Sequence, residues 1–182
     1  MDFVIIDVTA ADIEAAQQMR AARDQQYRNI YEERDTDMRW VGEIGEICFN
    51  RWVREYTALS VEWITDEVAG KPDFLIGGTP IGLKTVKRQV PMQPGYTAQI
   101  TAHHADEPVE YFFFASYEYP RQRLWLLGGI ARESFLTLAR YYPAGAQVHR
   151  NYTVRPGHEI YNIEIGKLTA PHAWITSLDA AF

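Results

Sequence analysis

Apolar and polar positions along the chain recur with periods that predict both helices and strands. Phe3–Val8 is rich in strand-forming residues and predicts a short strand that is buried on both faces. The segment Thr9–Asp12 has the form of a capping box, which predicts the start of a helix that runs to about Arg34. The outer face of this helix is rich in Gln, Arg and Asp and is expected to be solvated. Its inner face is marked by Ile13, Ala16, Met19, Tyr27 and Ile30.

A second helix is predicted over Trp40–Tyr56, where apolar residues recur at helical spacing. Gly42 and Gly45 each cost about 1 kcal/mol relative to Ala inside a helix. One reason to retain them is a close approach of the helix backbone to another element. Glu43 and Glu46 lie on neighbouring parts of one helix surface, and the helix alone favours the interpretation that both face solvent. The apolar stripe consists of Val41, Ile44, Cys48 and Trp52.

The rest of the chain reads mainly as strands, and the order of elements predicts an α/β protein with a mixed central β-sheet flanked by helices. The stretch rich in Pro, Gln and His that precedes Val109 is expected to be a loop. Arg132–Tyr142 is amphipathic and predicts a helix, and a short terminal helix is expected after Pro171. The predicted strands are Ser60–Ile64, Asp73–Ile76, Pro80–Val86, Val109–Tyr117, Arg123–Ile130, Asn151–Val154 and His158–Ile165.

Composition is that of one globular domain spanning residues 1–182, with 47% apolar and 23% charged residues. A net charge of −6 argues against a dedicated DNA-binding module, but it allows a local cluster of cations. Cys48 is the single cysteine, which excludes an intramolecular disulfide and a multi-cysteine zinc site. The acidic N-terminus does not resemble a signal peptide, and no apolar run approaches the ~20 residues of a membrane span. We therefore expect a soluble cytoplasmic protein that does not enter a membrane.

The strongest chemical signal lies in the predicted hairpin that links Asp73 to Lys84 through the turn Gly77-Gly78-Thr79. An acid opens the first strand and a lysine lies late in the second, so a tight turn brings the two side chains close together. Because side chains alternate along a strand, Gly82 and Lys84 share one face. A carboxylate beside a lysine is a plausible site for a divalent metal that activates water.

This hairpin resembles the core of the PD-(D/E)XK nuclease superfamily, in which an Asp follows a proline and an acid-x-Lys triplet lies on the next strand. Pro72-Asp73 matches the first part and Lys84 the last, while Gly82 stands where the acid of the triplet is expected. The segment Gly42–Glu46 also resembles the G-x-x-G-E helix that precedes the Asp strand in many small members. In the right order, the resemblance covers about residues 40–142.

The resemblance implies a restriction-endonuclease-like core and a metal-dependent DNA endonuclease or exonuclease, plausibly encoded by a phage or mobile element. It implies an Mg²⁺ (or Mn²⁺) ion held by Asp73, by the backbone carbonyl of Leu83 and by Glu46, which supplies the carboxylate that Gly82 lacks. Lys84 then orients the attacking water, so that Asp73, Lys84 and Glu46 are the expected catalytic residues. Lys87 and Arg88 follow at once and are expected to contact the DNA backbone, although ordinary surface charge explains them equally well.

Other interpretations stay open at this point. A glycine in place of a metal ligand is also what a catalytically inactive member of the fold would show, one that binds DNA or a protein partner. A homodimer is possible. His103, His104 and Asp106 have the residue types of metal ligands, but they lie in the expected loop, where a solvated segment is the favoured interpretation.

Overall fold

The computed structural model describes residues 2–27, 38–65 and 71–180. The first helix is described as far as Tyr27, so its predicted end near Arg34 lies outside the described residues. In the part of the chain that is described, each helix is too short or too polar to cross a membrane. The helices are α1 (Ala10–Tyr27), α2 (Val41–Tyr56), α3 (Arg132–Leu138) and α4 (Pro171–Asp179). The strands are β1 (Val4–Asp7), β2 (Val61–Trp63), β3 (Phe74–Ile76), β4 (Thr79–Arg88), β5 (Thr97–Thr101), β6 (Tyr111–Glu118), β7 (Arg123–Ala131), β8 (Arg140–Tyr142), β9 (Gln147–His149), β10 (Tyr152–Thr153) and β11 (Ile160–Glu164).

Six of these strands form a mixed sheet in the order β1-β7-β6-β4-β3-β2. Strands β4 and β6 are parallel, and the other neighbouring pairs are antiparallel. The predicted turn between β3 and β4 is tight, with positive φ angles of 57° at Gly77 and 86° at Gly78 that suit glycine. A second sheet has the order β5-β11-β8, and β9 pairs with β10. The mixed sheet and its helices confirm the predicted α/β class.

The side chains of β4 alternate between two hydrophobic cores. Ile81 and Leu83 are buried in a core that includes the apolar stripe of α2. Gly82 lies on the other face, where it meets Val109 and Phe112 of the second core. That second core is closed by apolar residues of β5, β11 and α3. Lys84 shares the face of Gly82, as the alternation predicts.

Helix α2 crosses β4 at very close range. A Cβ atom built on Gly45 overlaps the hydroxyl of Thr85, whereas one built on Gly42 meets no atom within 4 Å outside the local helix backbone. The predicted reason for a glycine, close approach to another element, is therefore confirmed for Gly45 and wrong for Gly42. The consequence is that Glu46, which follows Gly45, is brought up to the strand that carries Lys84.

Three predicted elements differ from the structure near the edges of the fold. The first strand is an edge strand that pairs with β7, and it alternates between half-buried and exposed residues, with Ile5 48% exposed. Burial on both faces was therefore wrong, because the face of β1 that carries Ile5 and Asp7 is exposed. Helix α3 ends at Leu138, and the end of the predicted helix is strand β8, which pairs with β11. Of the strand predicted near residue 152, only Tyr152–Thr153 forms, and it pairs with the unpredicted β9.

The expected loop before Val109 contains regular structure. Thr97–Thr101 forms β5, which pairs with β11, and Ala102–Asp106 forms a short 3₁₀ helix. The pairing partner of β5 lies some sixty residues later in the chain, so local sequence gave little sign of it. Since β4 and β6 are parallel, this segment is the crossover that joins them. It passes over the face of β4 that carries Gly82 and Lys84.

The contact between α2 and β4 yields a test with a matched control. Gly45→Ala should destabilise the protein by about 1–3 kcal/mol, because the added methyl group must displace the strand. Gly42→Ala should instead raise the free energy of unfolding by up to about 1 kcal/mol, because it removes the cost of glycine without a clash. Chemical denaturation of the two variants measures both effects. Equal effects in the two variants would contradict the close contact.

Candidate functional site

Asp73 lies immediately before β3, with its carboxylate turned toward β4. Its backbone N–H donates to the carbonyl of Ile81 at 3.0 Å. Its Oδ2 accepts a hydrogen bond of 2.6 Å from the backbone N–H of Leu83. The positive charge of Lys84 acts on this carboxyl. The hairpin therefore brings together Asp73, Leu83 and Lys84, as the sequence predicts.

The structure adds an acid that sequence reasoning missed. Glu107, at the end of the crossover, places Oε2 2.8 Å and Oε1 3.1 Å from the Nζ of Lys84. A Cβ atom at Gly82 would lie only 3.3 Å from Oε2 of Glu107. The Glu107 carboxylate thus occupies the space directly over Gly82. The crossover therefore supplies the Glu107 carboxylate beside Gly82, where the strand itself has no side chain.

Glu107 was missed because it lies 23 residues from Lys84 in a segment read as a loop. The signal in the sequence was Gly82 itself. A glycine in mid-strand often marks a close approach by another group. The sequence did not indicate which acid would approach, since that depends on the path of the crossover.

Asp73 has a strongly perturbed acidity. Burial, the largest cause, and the nearby carboxylates of Glu46 and Glu107 together raise the pKa of Asp73 to about 7. The charge of Lys84 and the hydrogen bond from Leu83 oppose this rise in pKa. Two acids and one lysine therefore act on the Asp73 carboxyl. Perturbed carboxyl groups of this kind concentrate at functional sites.

The pKa of Glu107 is shifted in the opposite direction to that of Asp73. Burial alone would raise the pKa of Glu107, but a hydrogen bond from His104 and the charge of Lys84 outweigh it and hold the pKa below its ordinary value. His104 meets Oε1 of Glu107 through its Nδ1. His104 therefore lies against the site, and the prediction of a solvated loop at this residue was wrong.

The acids of α2 are buried, which corrects the expectation that they face solvent. Glu43 is 0% exposed and Glu46 is 7% exposed. Arg23 of α1 binds both, at 2.8 Å from Oε1 of Glu43 and at 3.0 and 2.8 Å from the two oxygens of Glu46, while Oε2 of Glu43 is buried without a hydrogen-bond partner among the described residues. Trp63 also donates to Glu46 at 3.0 Å. The two glutamates can be buried because Arg23, which is itself 6% exposed, supplies a positive charge. Arg23 belongs to the face of α1 that was expected to be solvated.

The catalytic and metal-binding roles expected of Glu46 stay predictions. Its charge acts on Asp73, so it belongs to the same electrostatic neighbourhood. However, both of its oxygens accept hydrogen bonds from Arg23, and one accepts a further bond from Trp63. Glu107 is engaged to a similar extent, since Lys84 contacts both of its oxygens and His104 contacts one, so what favours Glu107 as a ligand is its position over Gly82 beside Lys84.

The donor set suits a hard divalent cation. Asp73 and Glu107 offer carboxylate oxygens, and their mutual repulsion is part of what raises the pKa of Asp73. A divalent cation between them would relieve that repulsion, and Mg²⁺ typically uses one or two protein carboxylates together with water and phosphate oxygens. Within residues 2–27, 38–65 and 71–180, His, Cys, Asp and Glu side chains nowhere form a ready-made group of three or more ligands.

The two residues expected to contact DNA lie at the end of β4. Lys87 is exposed and Arg88 is half-buried. The guanidinium of Arg88 donates to the carbonyl of Thr97 at 2.9 Å and lies 4.9 Å from the centre of the Tyr96 ring. Arg88 is thus partly used to attach β5 to β4, and its contact with DNA remains a prediction.

No protein-family model matches the chain, and no curated protein matches its sequence.

The raised pKa of Asp73 predicts how stability depends on pH. The native Asp73 carboxyl holds its proton up to about pH 7, whereas its ordinary pKa is 3.8. Between these values the native state binds more protons than the unfolded state, so this group makes the free energy of unfolding fall as pH rises. Asp73→Asn should therefore stabilise the protein by about 1–3 kcal/mol at pH 8, with a gain that shrinks toward pH 4.

Denaturation of Asp73→Asn at several pH values, with the exposed Asp106→Asn as the control, measures this effect. The control should show a small change that is nearly constant with pH. If Asp73→Asn is instead less stable than wild type at pH 8, the ionised Asp73 carboxylate does not destabilise the fold, and the prediction is wrong.

Proposed function

We propose that this protein is a metal-dependent DNA nuclease whose site consists of Asp73, Glu107 and Lys84. The observation that carries the proposal is the Glu107 carboxylate over Gly82, beside the amine of Lys84. The sequence resemblance lacked one acid, and the structure has an acid at that place from another segment. This arrangement supports a working site more than a site that has lost its ligand.

The arrangement of strands supports the same proposal. In the antiparallel strands β2, β3 and β4, followed by β6 parallel to β4, Asp73 immediately precedes β3 and Lys84 lies on the neighbouring strand β4. We take this as the restriction-endonuclease-like core. Helix α2 packs against the same strands and brings Glu46 near.

Each residue of the site has a distinct task in phosphodiester hydrolysis. A bound Mg²⁺ (or Mn²⁺) stabilises charge on the phosphate and makes a bound water a better nucleophile. Asp73 and Glu107 would hold the ion, together with the carbonyl of Leu83, while Leu83 also fixes Asp73 through its N–H. Lys84, whose side chain is 14% exposed, would orient the attacking water and donate to the phosphate oxygens.

DNA is the proposed substrate because cations continue along β4 beyond the site. Lys87 and Arg88 follow Lys84 on the same strand and would contact the DNA backbone, with Arg88 on the face of Lys84 and the exposed Lys87 on the opposite face. The net charge of −6 makes such a local cluster of cations the means by which DNA would be held.

One observation favours the second candidate, an inactive nuclease fold that binds DNA or a protein partner. Protein cations already neutralise the acids of the site, since Lys84 binds Glu107 and Arg23 binds Glu46. A site that is complete in this way is stable without a metal ion. The carboxylates of Glu46 and Glu107 contribute to the raised pKa of Asp73, although burial is the larger cause, and this repulsion between acids weighs against the second candidate.

Cleavage assays test the nuclease proposal. The purified protein should nick or degrade DNA with Mg²⁺ or Mn²⁺ and be inactive in EDTA. Asp73→Asn, Glu107→Gln and Lys84→Met should each lower the rate by on the order of 100-fold or more while the fold is kept. The exposed Glu110→Gln is the matched control for Glu107→Gln and should cleave as the wild type does. Absence of metal-dependent cleavage of linear, circular, single-stranded and branched DNA would leave the binding protein as the better account.

Returning the acid to the strand tests which carboxylate is used. Gly82→Glu alone should keep or lower activity, because the new carboxylate meets Glu107, whose Oε2 lies 3.3 Å from the Cβ position. Glu107→Ala should abolish cleavage, and the double variant Glu107→Ala/Gly82→Glu should regain part of it, because the acid again lies beside Lys84.

Glu46→Gln distinguishes the two acids in the same assay. Its melting temperature should fall, because Arg23 and Trp63 lose part of a charged partner, while residual cleavage should exceed that of Glu107→Gln. Loss of cleavage in Glu46→Gln together with an active Glu107→Ala would assign the ligand role to Glu46 instead.

A further inference from the structure

The 3₁₀ segment Ala102–Asp106 is fixed by contacts with other elements. The backbone N–H of Ala102 donates to the carbonyl of Glu159 at 2.7 Å. Arg132 donates from its Nε to the carbonyl of Ala105 at 2.8 Å. The backbone N–H of Glu107 closes the turn on the carbonyl of His104 at 3.2 Å. The distance and direction from His104 to Glu107 are therefore set by the fold.

Two side chains from different segments, Lys84 of β4 and His104 of the crossover, donate hydrogen bonds to the Glu107 carboxylate. An ionised carboxylate has only acceptors, so the Nδ1 of His104 carries the proton in its hydrogen bond to Oε1. Lys84 approaches both oxygens, at 2.8 Å from Oε2 and 3.1 Å from Oε1.

Lys84 and His104 would have different roles in the proposed reaction. Lys84 must turn its ammonium toward a phosphate and a water, which weakens its hold on Glu107. His104 sits on the anchored crossover with Glu107, so its hydrogen bond can persist when Lys84 is drawn away. A side chain that keeps a ligand oriented in this way acts on the site without touching the reacting atoms.

We infer that His104 is a positioning residue that holds the Glu107 carboxylate over Gly82, so that Glu107 remains a metal ligand while Lys84 serves the substrate. This inference rests on the proposed function, and it adds a residue that the sequence resemblance does not supply. His103 is a neighbour with a different contact, since its Nε2 lies 3.3 Å from the hydroxyl of Thr101. The His103 ring also packs against the His104 ring, with centroids 4.1 Å apart, so removal of His103 would disturb His104 as well.

Calorimetric titration with Mn²⁺ tests the inference without reference to cleavage. His104→Ala should weaken Mn²⁺ binding by about 10-fold or more, as loss of a group that orients a ligand does. His104→Asn should restore binding to within a few-fold of wild type, because its amide can donate from nearly the same place as Nδ1. The exposed His149→Ala, whose ring contacts Tyr152 instead, is the control and should bind Mn²⁺ as the wild type does.

A double-mutant cycle separates positioning from general support of the fold. In the Glu107→Gln background, His104→Ala should cause little further loss of Mn²⁺ affinity, because its effect passes through Glu107. In cleavage assays, His104→Ala should lower kcat and leave KM for DNA nearly unchanged. An equal loss of affinity in both backgrounds, or no rescue by His104→Asn, would overturn the positioning role.

The outcomes also distinguish this inference from the function on which it rests. If wild type binds Mn²⁺ and His104→Ala binds it equally well, the positioning role fails while the nuclease proposal stands. If wild type binds no Mn²⁺, the proposed metal site fails, and the role of His104 fails with it.

Discussion

The parallel pairing of β4 with β6 is the constraint on which the candidate site depends. Parallel neighbours cannot be joined by a tight turn, so the chain must cross over one face of the sheet between them. Here that crossover carries β5, a 3₁₀ turn and Glu107 over the face where Gly82 and Lys84 lie. A small residue on the strand and a carboxylate on the crossover are therefore two parts of one arrangement. Without Gly82, the Glu107 carboxylate would have less room beside Lys84.

Charge is distributed over two connected groups of residues. On the α2 side, Arg23 binds Glu43 and Glu46, which allows both acids to be buried. On the β4 side, Lys84 binds Glu107 and its charge acts on Asp73, whose pKa is raised to about 7 mainly by burial and in part by the carboxylates of Glu46 and Glu107. The first group supports the packing of α1 on α2. The second places two carboxyl groups beside one lysine, and a bound cation there would favour the ionised form of Asp73.

Local interactions are what the sequence predicted well. The hairpin between Asp73 and Lys84 follows from its glycine turn, and the apolar stripe of α2 follows from helical spacing, with Cys48 and Ile44 0% exposed. Long-range partners were not predictable. Glu43 and Glu46 read as surface acids because their partner, Arg23, lies 20 and 23 residues earlier in another helix. Glu107 was hidden for the same reason, since only the path of the crossover brings it to Lys84.

Whether Asp73 and Glu107 hold a metal ion is tested most directly in crystals soaked with Mn²⁺, in which the ion is located by its anomalous scattering. We expect one ion in contact with the carboxylates of both Asp73 and Glu107, with the Lys84 amine moved away from Glu107. An ion held by Asp73 and Glu46 without Glu107 would contradict the assigned acid. A site without manganese, in which Lys84 still binds Glu107, would contradict the proposal that this cluster holds a metal.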